Sequence, residues 1–197
     1  MTDTAPKRMS REARRSALLD AAAELLRGPE PTALTFEAVA DAAGVSATLP
    51  YKYFESVDEI ANELYAHLVG PIDEAATTIA RDPARSFDDK LRATMELWCN
   101  VLRRDGVLLF RLSDDVAHPS LRRAIEARRE RSVELWADQI EAERSLDPAT
   151  ARLVAASINA GSIAALRRWI VDRRDRVETI ELFVVMARAQ LDAVADR

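Results

Sequence analysis

The chain has 197 residues, 48% of them hydrophobic, with 28 Lys and Arg against 33 Asp and Glu and a formal net charge of −5. That length suits one domain, or a small one beside a larger one, and the lone cysteine, Cys99, excludes an internal disulfide framework and fits a reducing cytosol. The N-terminus has no apolar stretch of the signal-peptide kind. The longest apolar runs, such as Leu182 to Ala187, fall far short of the roughly 20 residues of a membrane helix, so a cytoplasmic protein without membrane contact is expected.

Five glycines and eight prolines among abundant Ala, Leu, Arg and Glu favour helix. No run alternates apolar and polar residues as a half-buried strand does, so the expected fold is all-α with about ten helices. Residues 1–9 read as a polar tail. In the first fifteen residues Lys7, Arg8, Arg11, Arg14 and Arg15 face only Asp3 and Glu12. A basic front thus precedes a more acidic body, which orients a protein on a polyanion. Ser10 can cap a helix running to about Arg27, with Leu18, Ala22, Leu25 and Leu26 as its buried stripe. Gly28-Pro29 stops it, and Pro31 keeps the connector extended.

Residues 34–54, LTFEAVADAAGVSATLPYKYF, read as two short helices joined by a tight turn. Thr35 caps the first, Leu34 and Val39 form a hydrophobic staple, and Phe36, Val39, Ala40 and Ala43 make an apolar face. Gly44 ends it, because a residue in the left-handed region is cheapest as glycine. Val45 plugs the turn, and Ser46 can cap a second helix carrying Thr48, Tyr51, Lys52 and Tyr53. Only Leu49, Pro50 and Phe54 in that segment are candidates for burial. A short polar helix rich in aromatic residues, propped outward by a glycine corner, is what a helix-turn-helix places in a major groove. Tyr51 and Tyr53 suit phosphate, Lys52 a phosphate or a guanine edge, and Thr48 offers a hydroxyl and a methyl to bases. Pro50 falls near the fourth helical position, where its missing N–H forfeits a first-turn hydrogen bond, so the segment is expected to begin in a tighter turn or to sit rotated.

From Thr35 to Ser56 the chain shows T-x-x-x-V-A-x-x-A-G-V-S-x-x-x-x-Y-x-Y-F-x-S. In this pattern, within a likeness spanning about Leu18 to Leu64, it resembles the TetR family of transcriptional regulators. The resemblance implies a homodimer with an N-terminal DNA-binding domain and a larger C-terminal domain that binds a small molecule and releases DNA. It also implies DNA contact by Thr35, Ser46, Ala47, Thr48, Tyr51 and Tyr53. The family's usual lysine after the serine that opens the next helix is here Val57, and Leu49-Pro50 replaces a small or hydroxyl residue followed by an aliphatic. The operator therefore does not follow from relatives.

Ser56 to Glu59 forms a capping box that opens a linking helix over 57–70, ended by Gly70-Pro71. A helix over about 72–80 follows, then one from Ser86 with Phe87, Leu91, Met95, Trp98 and Leu102 on one stripe. Asp105-Gly106 predicts a turn, VLLFRL a short buried helix, and Asp114-Asp115 with His118-Pro119 a loop. A helix over about 120–144 precedes Asp147-Pro148, which caps a helix to about Arg173. The last helix, about 177–195, has Val177, Ile180, Val184, Ala187, Leu191 and Val194 in a 3-4 spacing that wants a partner helix. These two final helices carry more apolar surface than one core uses, which predicts a homodimer through about 148–173 and 177–195. The expected division is 1–56 as a DNA-binding domain with its arm, 57–70 as linking helix, and 71–197 for ligand binding and dimerisation.

A ligand cavity between the linking helix and the helices that follow it, as far as about Arg173, would draw on His67, Met95, Trp98, Cys99, Leu102, Phe110, Trp136, Asn159 and Ser162. Asn159 and Ser162 are the most telling, since polar groups on an apolar helix need partners. No metal-ligand spacing, phosphate loop or Ser/His/Asp arrangement stands out, so neither a cofactor nor an enzyme is expected. The expected partners are a double-stranded, palindromic DNA operator, a small-molecule effector and a second copy of the chain. The alternative is a helical small-molecule-binding protein that reads no DNA sequence.

Overall fold

A computed structural model describes residues 9–28, 32–114 and 118–195. The expectations for the basic arm at Lys7 and Arg8, for Pro29 and Pro31, and for Asp115 lie outside the described residues. The elements are α1 (Arg11–Arg27), α2 (Phe36–Ala42), a 3-10 turn (Pro50–Lys52), α3 (Val57–Arg81), α4 (Phe87–Asp114), α5 (Pro119–Arg144), α6 (Pro148–Val171) and α7 (Arg176–Ala195). The fold is all-α, with seven α-helices and one 3-10 turn among the described residues rather than about ten helices.

The surplus came from two breaks that do not occur. Gly70-Pro71 lies inside α3. Proline removes one intrahelical bond at a cost of about 3 kcal/mol. The helix continues because Leu64, Leu68, Val69, Ile72 and Ala80 are buried on both sides of that point. Asp105-Gly106 lies inside α4, where both residues are buried. A Cβ on Gly106 would stand 3.5 Å from Cδ1 of Ile170 on α6, an ordinary contact, so the residue lies packed within the helix and makes no turn.

Helix starts follow the caps. Ser10 accepts the N–H of Ala13, Asp147 those of Ala149 and Thr150, and Ser86 that of Asp89. Ser56 accepts from Glu59 N–H at 3.2 Å, while the Glu59 carboxylate reaches back to the N–H of Glu55 rather than that of Ser56.

The chain divides into two compact units, Met1–His67 with Val107–Arg122, and Leu68–Gly106 with Arg123–Arg197. In the first, α1 packs on α2, with Leu18, Ala22 and Leu26 of the one and Phe36 and Val39 of the other buried. In the second, α6 lies on α7, where a Cβ on Gly161 would stand 3.8 Å from the Phe183 ring, and Ile180, Val184, Ala187 and Leu191 are buried. Arg92 of α4 forks onto Glu181 of α7 at 2.6 and 2.9 Å, and the Phe87 ring meets Trp136 edge-on with centroids 5.9 Å apart.

By length and composition α6 is long and apolar enough to cross a membrane, contrary to the expectation of no such segment. Counting unbroken apolar runs missed it, because Arg152, Ser157, Asn159 and Ser162 interrupt the helix. Only 28% of that apolar window is buried within the chain.

Candidate nucleic-acid interface

The interface begins with the corner at Gly44. Thr35 caps α2 by accepting the Ala38 N–H at 3.1 Å. At the other end the N–H of Gly44 bonds the Asp41 carbonyl and that of Val45 the Ala40 carbonyl, the paired bonds of a Schellman motif. Gly44 has φ +63°, as expected for the residue that turns the chain there.

The second helix is shorter than expected and takes the tighter turn that Pro50 predicts. An α-helix starting at Ser46 would send the N–H of residue 50 to the Ser46 carbonyl. Pro50 has no N–H, so Leu49 N–H takes that carbonyl at 2.8 Å. The segment stays tight, with Lys52 N–H on the Leu49 carbonyl and Tyr53 N–H on that of Pro50. The helical part is Pro50–Lys52 alone. Ser46 does not cap it; its Oγ lies 3.4 Å from Oγ1 of Thr48.

Pro50 and Phe54 are buried beneath this segment, whereas Ser46, Ala47, Thr48, Tyr51 and Lys52 are exposed and Tyr53 is half-buried. Tyr51 keeps 57% of its surface in solvent. Its ring stands edge-on to Phe36 with centroids 4.4 Å apart, and its hydroxyl donates to Glu37 Oε1 at 3.1 Å. Tyr53 lies under the Arg11 guanidinium, 5.9 Å from the ring centroid.

One determinant of this face went unread in the sequence. Arg15, counted with the basic front, turns inward. Its Nη1 donates to the Tyr53 carbonyl, its Nη2 pairs with Glu59 at 2.6 Å and with Glu63, and the guanidinium lies 4.2 Å from the Phe54 ring centroid. Arg15 therefore anchors this segment, its guanidinium shared among the Tyr53 carbonyl and two carboxylates. Glu59 and Glu63 lie four apart on α3, a spacing visible in the sequence, but their partner is 44 and 48 residues away.

A second cluster in the same unit joins the starts of α3 and α5. Asp58 accepts the Ser120 hydroxyl at 2.5 Å and its N–H at 3.2 Å, and His118 Nδ1 lies 2.9 Å from its other oxygen. Asn62 donates to Ser120 Oγ and to the Asp58 carbonyl. The Ser120 hydroxyl, then its N–H and His118, hold the Asp58 carboxyl below its usual range against the opposing effect of burial. A Ser, a His and an Asp thus meet where none was foreseen. Asp58 takes hydrogen bonds from both others, whereas a nucleophilic triad needs the histidine between serine and aspartate. This geometry ties two helices together. No group of three or more potential metal ligands exists among the described residues.

In the C-terminal unit a cavity of about 50 Å³ gathers Met95, Trp98, Trp136, Asn159 and Ser162 of the nine expected ligand residues. Thr94, Ser132 and Phe183 join them. Asn159 Nδ2 donates to Ser132 Oγ at 3.0 Å and Ser162 Oγ to the Asn159 carbonyl at 2.7 Å. Thr94 Oγ1 is buried with no partner. Thr94 sits in the Leu91–Trp98 stripe and could have been singled out by the reasoning applied to Asn159. Leu102 and Cys99 are core residues outside the cavity lining, and burial pushes the Cys99 thiol pKa up. His67 is exposed, and both it and half-buried Phe110 fall in the other unit.

A capped helix, a glycine corner and an outward tight turn carrying Thr48, Tyr51 and Lys52 define a helix-turn-helix DNA-binding protein. Residues 18–64 match the family model described as bacterial regulatory proteins, tetR family. The chain is 28% identical over 194 residues to the HTH-type transcriptional activator FasR of Mycolicibacterium smegmatis, covering 95% of this chain and 87% of that one. Its fold is similar to that of a TetR-like transcriptional regulator from Rhodococcus sp. RHA1, with a TM-score of 0.75 at 22% identity over 94% of this chain and 99% of that one. It is also similar to NalD, the secondary repressor of the MexAB-OprM multidrug efflux pump in Pseudomonas aeruginosa, with a TM-score of 0.72 at 21% identity over 91% and 95%. The tetR-family match thus falls on the N-terminal residues 18–64, and the fold of the chain as a whole is that of TetR-like regulators.

Proposed function

We propose that the protein is a ligand-responsive repressor that binds a palindromic operator as a homodimer in the cytoplasm and leaves it when a small-molecule effector enters the C-terminal unit. The observation that carries this reading is the exposure of Ser46, Ala47, Thr48, Tyr51 and Lys52 on a segment pinned from behind by Arg15. These residues, with Thr35 and Tyr53, are the proposed DNA contacts. Of the relatives, FasR is named an activator and NalD a repressor, so the sign of regulation rests on a reporter assay.

The dimer is supported by the outer faces of α6 and α7. Leu153, Ile163 and Val171 on one, and Val177, Leu182, Val185 and Met186 on the other, remain exposed. Burying such surface is worth roughly 25 cal/mol per Å². Two protomers would set their turns about 34–36 Å apart, or at another spacing if the dimer is wider.

The cavity has room for a water or two, whereas effector-sized pockets hold roughly 300 Å³ or more. An effector must therefore move Trp98, Trp136 or Phe183 to enter, and it shifts the DNA-competent balance only by its differential affinity for the two states. Selection of bound fragments from a random duplex pool should enrich a palindrome. Recovery of no palindrome would favour the alternative, a helical small-molecule-binding protein without sequence-specific DNA binding. Sedimentation showing a stable monomer at micromolar concentration would remove the dimer.

A further inference from the structure

The outward face carries one carboxylate that DNA binding does not call for. Glu37, exposed near the start of α2, accepts the Tyr51 hydroxyl at 3.1 Å, and the edge-on contact with Phe36 holds the phenol in place. A phenol has a single proton to donate. A phosphate that takes it must displace Glu37, and a carboxylate displaced from that bond remains beside the phosphate as a like charge. The carboxyl is held below its usual range by its backbone hydrogen bond and by Tyr51, so it is ionised wherever the protein would meet DNA.

Resting on the assignment of Tyr51 as a DNA contact, we propose that Glu37 is a specificity-determining residue: it competes for the Tyr51 hydroxyl and so weakens binding to duplex of arbitrary sequence. Sequence-independent binding comes almost wholly from phosphates. A carboxylate on this face therefore suppresses the background, while base contacts at a true site remain to offset it. A neighbouring Lys or Arg would do the opposite.

The test uses the full chain, a 30-bp duplex of mixed sequence and fluorescence anisotropy. E37Q removes the charge and leaves only a weaker, neutral oxygen to compete for the Tyr51 hydroxyl. It should bind the mixed duplex about fivefold more tightly near 0.1 M salt, the size expected of one exposed like-charge pair. The gain should shrink as salt is raised, which a purely structural effect would not do. Y51F should weaken wild-type binding, and E37Q added to Y51F should bring a smaller gain, since only the like-charge part is then left. Equal affinity of E37Q and wild type overturns the proposal, as does a full gain in the Y51F background. Weakening by E37Q at a single base pair of a selected site also overturns it, since Glu37 would then be accepting from a cytosine amino group. If Y51F binds as tightly as wild type, it is instead the DNA-contact assignment of Tyr51 that fails. Matching thermal melts establish that each variant is folded.

Discussion

Arg15 of α1 donates a hydrogen bond to the main-chain carbonyl of Tyr53, 38 residues later. A short 3-10 turn has few bonds of its own, so its position depends on groups that grip its ends. Arg15 grips one end and is itself held by Glu59 and Glu63 of α3. R15A should destabilise the protein by about 1–3 kcal/mol in urea denaturation, since it strips a part-buried carbonyl and two carboxylates of their donor. It should also weaken DNA binding well beyond the loss of one distant charge. R15K, which cannot fork, should recover only part of either effect.

Gly44 tests the corner. At φ +63° with open space around its Cβ position, an added methyl meets no neighbour, so the cost of G44A is purely that of the backbone. The expected destabilisation is about 1–2 kcal/mol. A thermal melt indistinguishable from wild type would show that the corner relaxes to another conformation.

The tie between α3 and α5 makes a statement about pH. The Asp58 carboxyl is held below its ordinary range, chiefly by the Ser120 hydroxyl. A depressed carboxylate binds its proton more weakly in the folded state than in the unfolded chain. Its stabilisation is therefore fully present above the unfolded value and is lost as pH falls through the folded one. Stability measured by denaturant from pH 6 downward should drop below the ordinary carboxylate range. D58N should be less stable at neutral pH and should show a shallower acid decline.

The cavity offers a stability measurement independent of any effector. Thr94 Oγ1 is buried without a partner, and an unmet hydroxyl costs about 1–3 kcal/mol. T94V keeps the shape and removes the polar atom, so it should raise the denaturation midpoint. An unchanged or lower midpoint would mean that a bound water already serves the hydroxyl.

Much of this protein was legible before any coordinates. Caps at Ser10, Thr35, Ser56, Ser86 and Asp147, the Gly44 stop and the apolar stripes act within one helical turn, and sequence displays such neighbours directly. The proline effect at residue 50 was equally local: a missing N–H disrupts the first turn wherever the chain goes. Gly70-Pro71 and Asp105-Gly106 read as breaks because their intrinsic cost is visible in sequence. The burial of Leu68, Val69 and Ile72 that overrides the first, and that of Leu102, Leu108 and Leu109 around the second, are not. The Arg15 anchor, the Asp58–His118–Ser120 tie, the Glu37–Tyr51 bond and the gathering of Thr94 with Asn159 likewise join residues far apart along the chain. Such partners carry no mark of one another in composition or spacing, so only the tertiary structure could pair them. For Arg15 and Asp58 it did so because a charged group partly drawn out of water is costly unless packing delivers its complement.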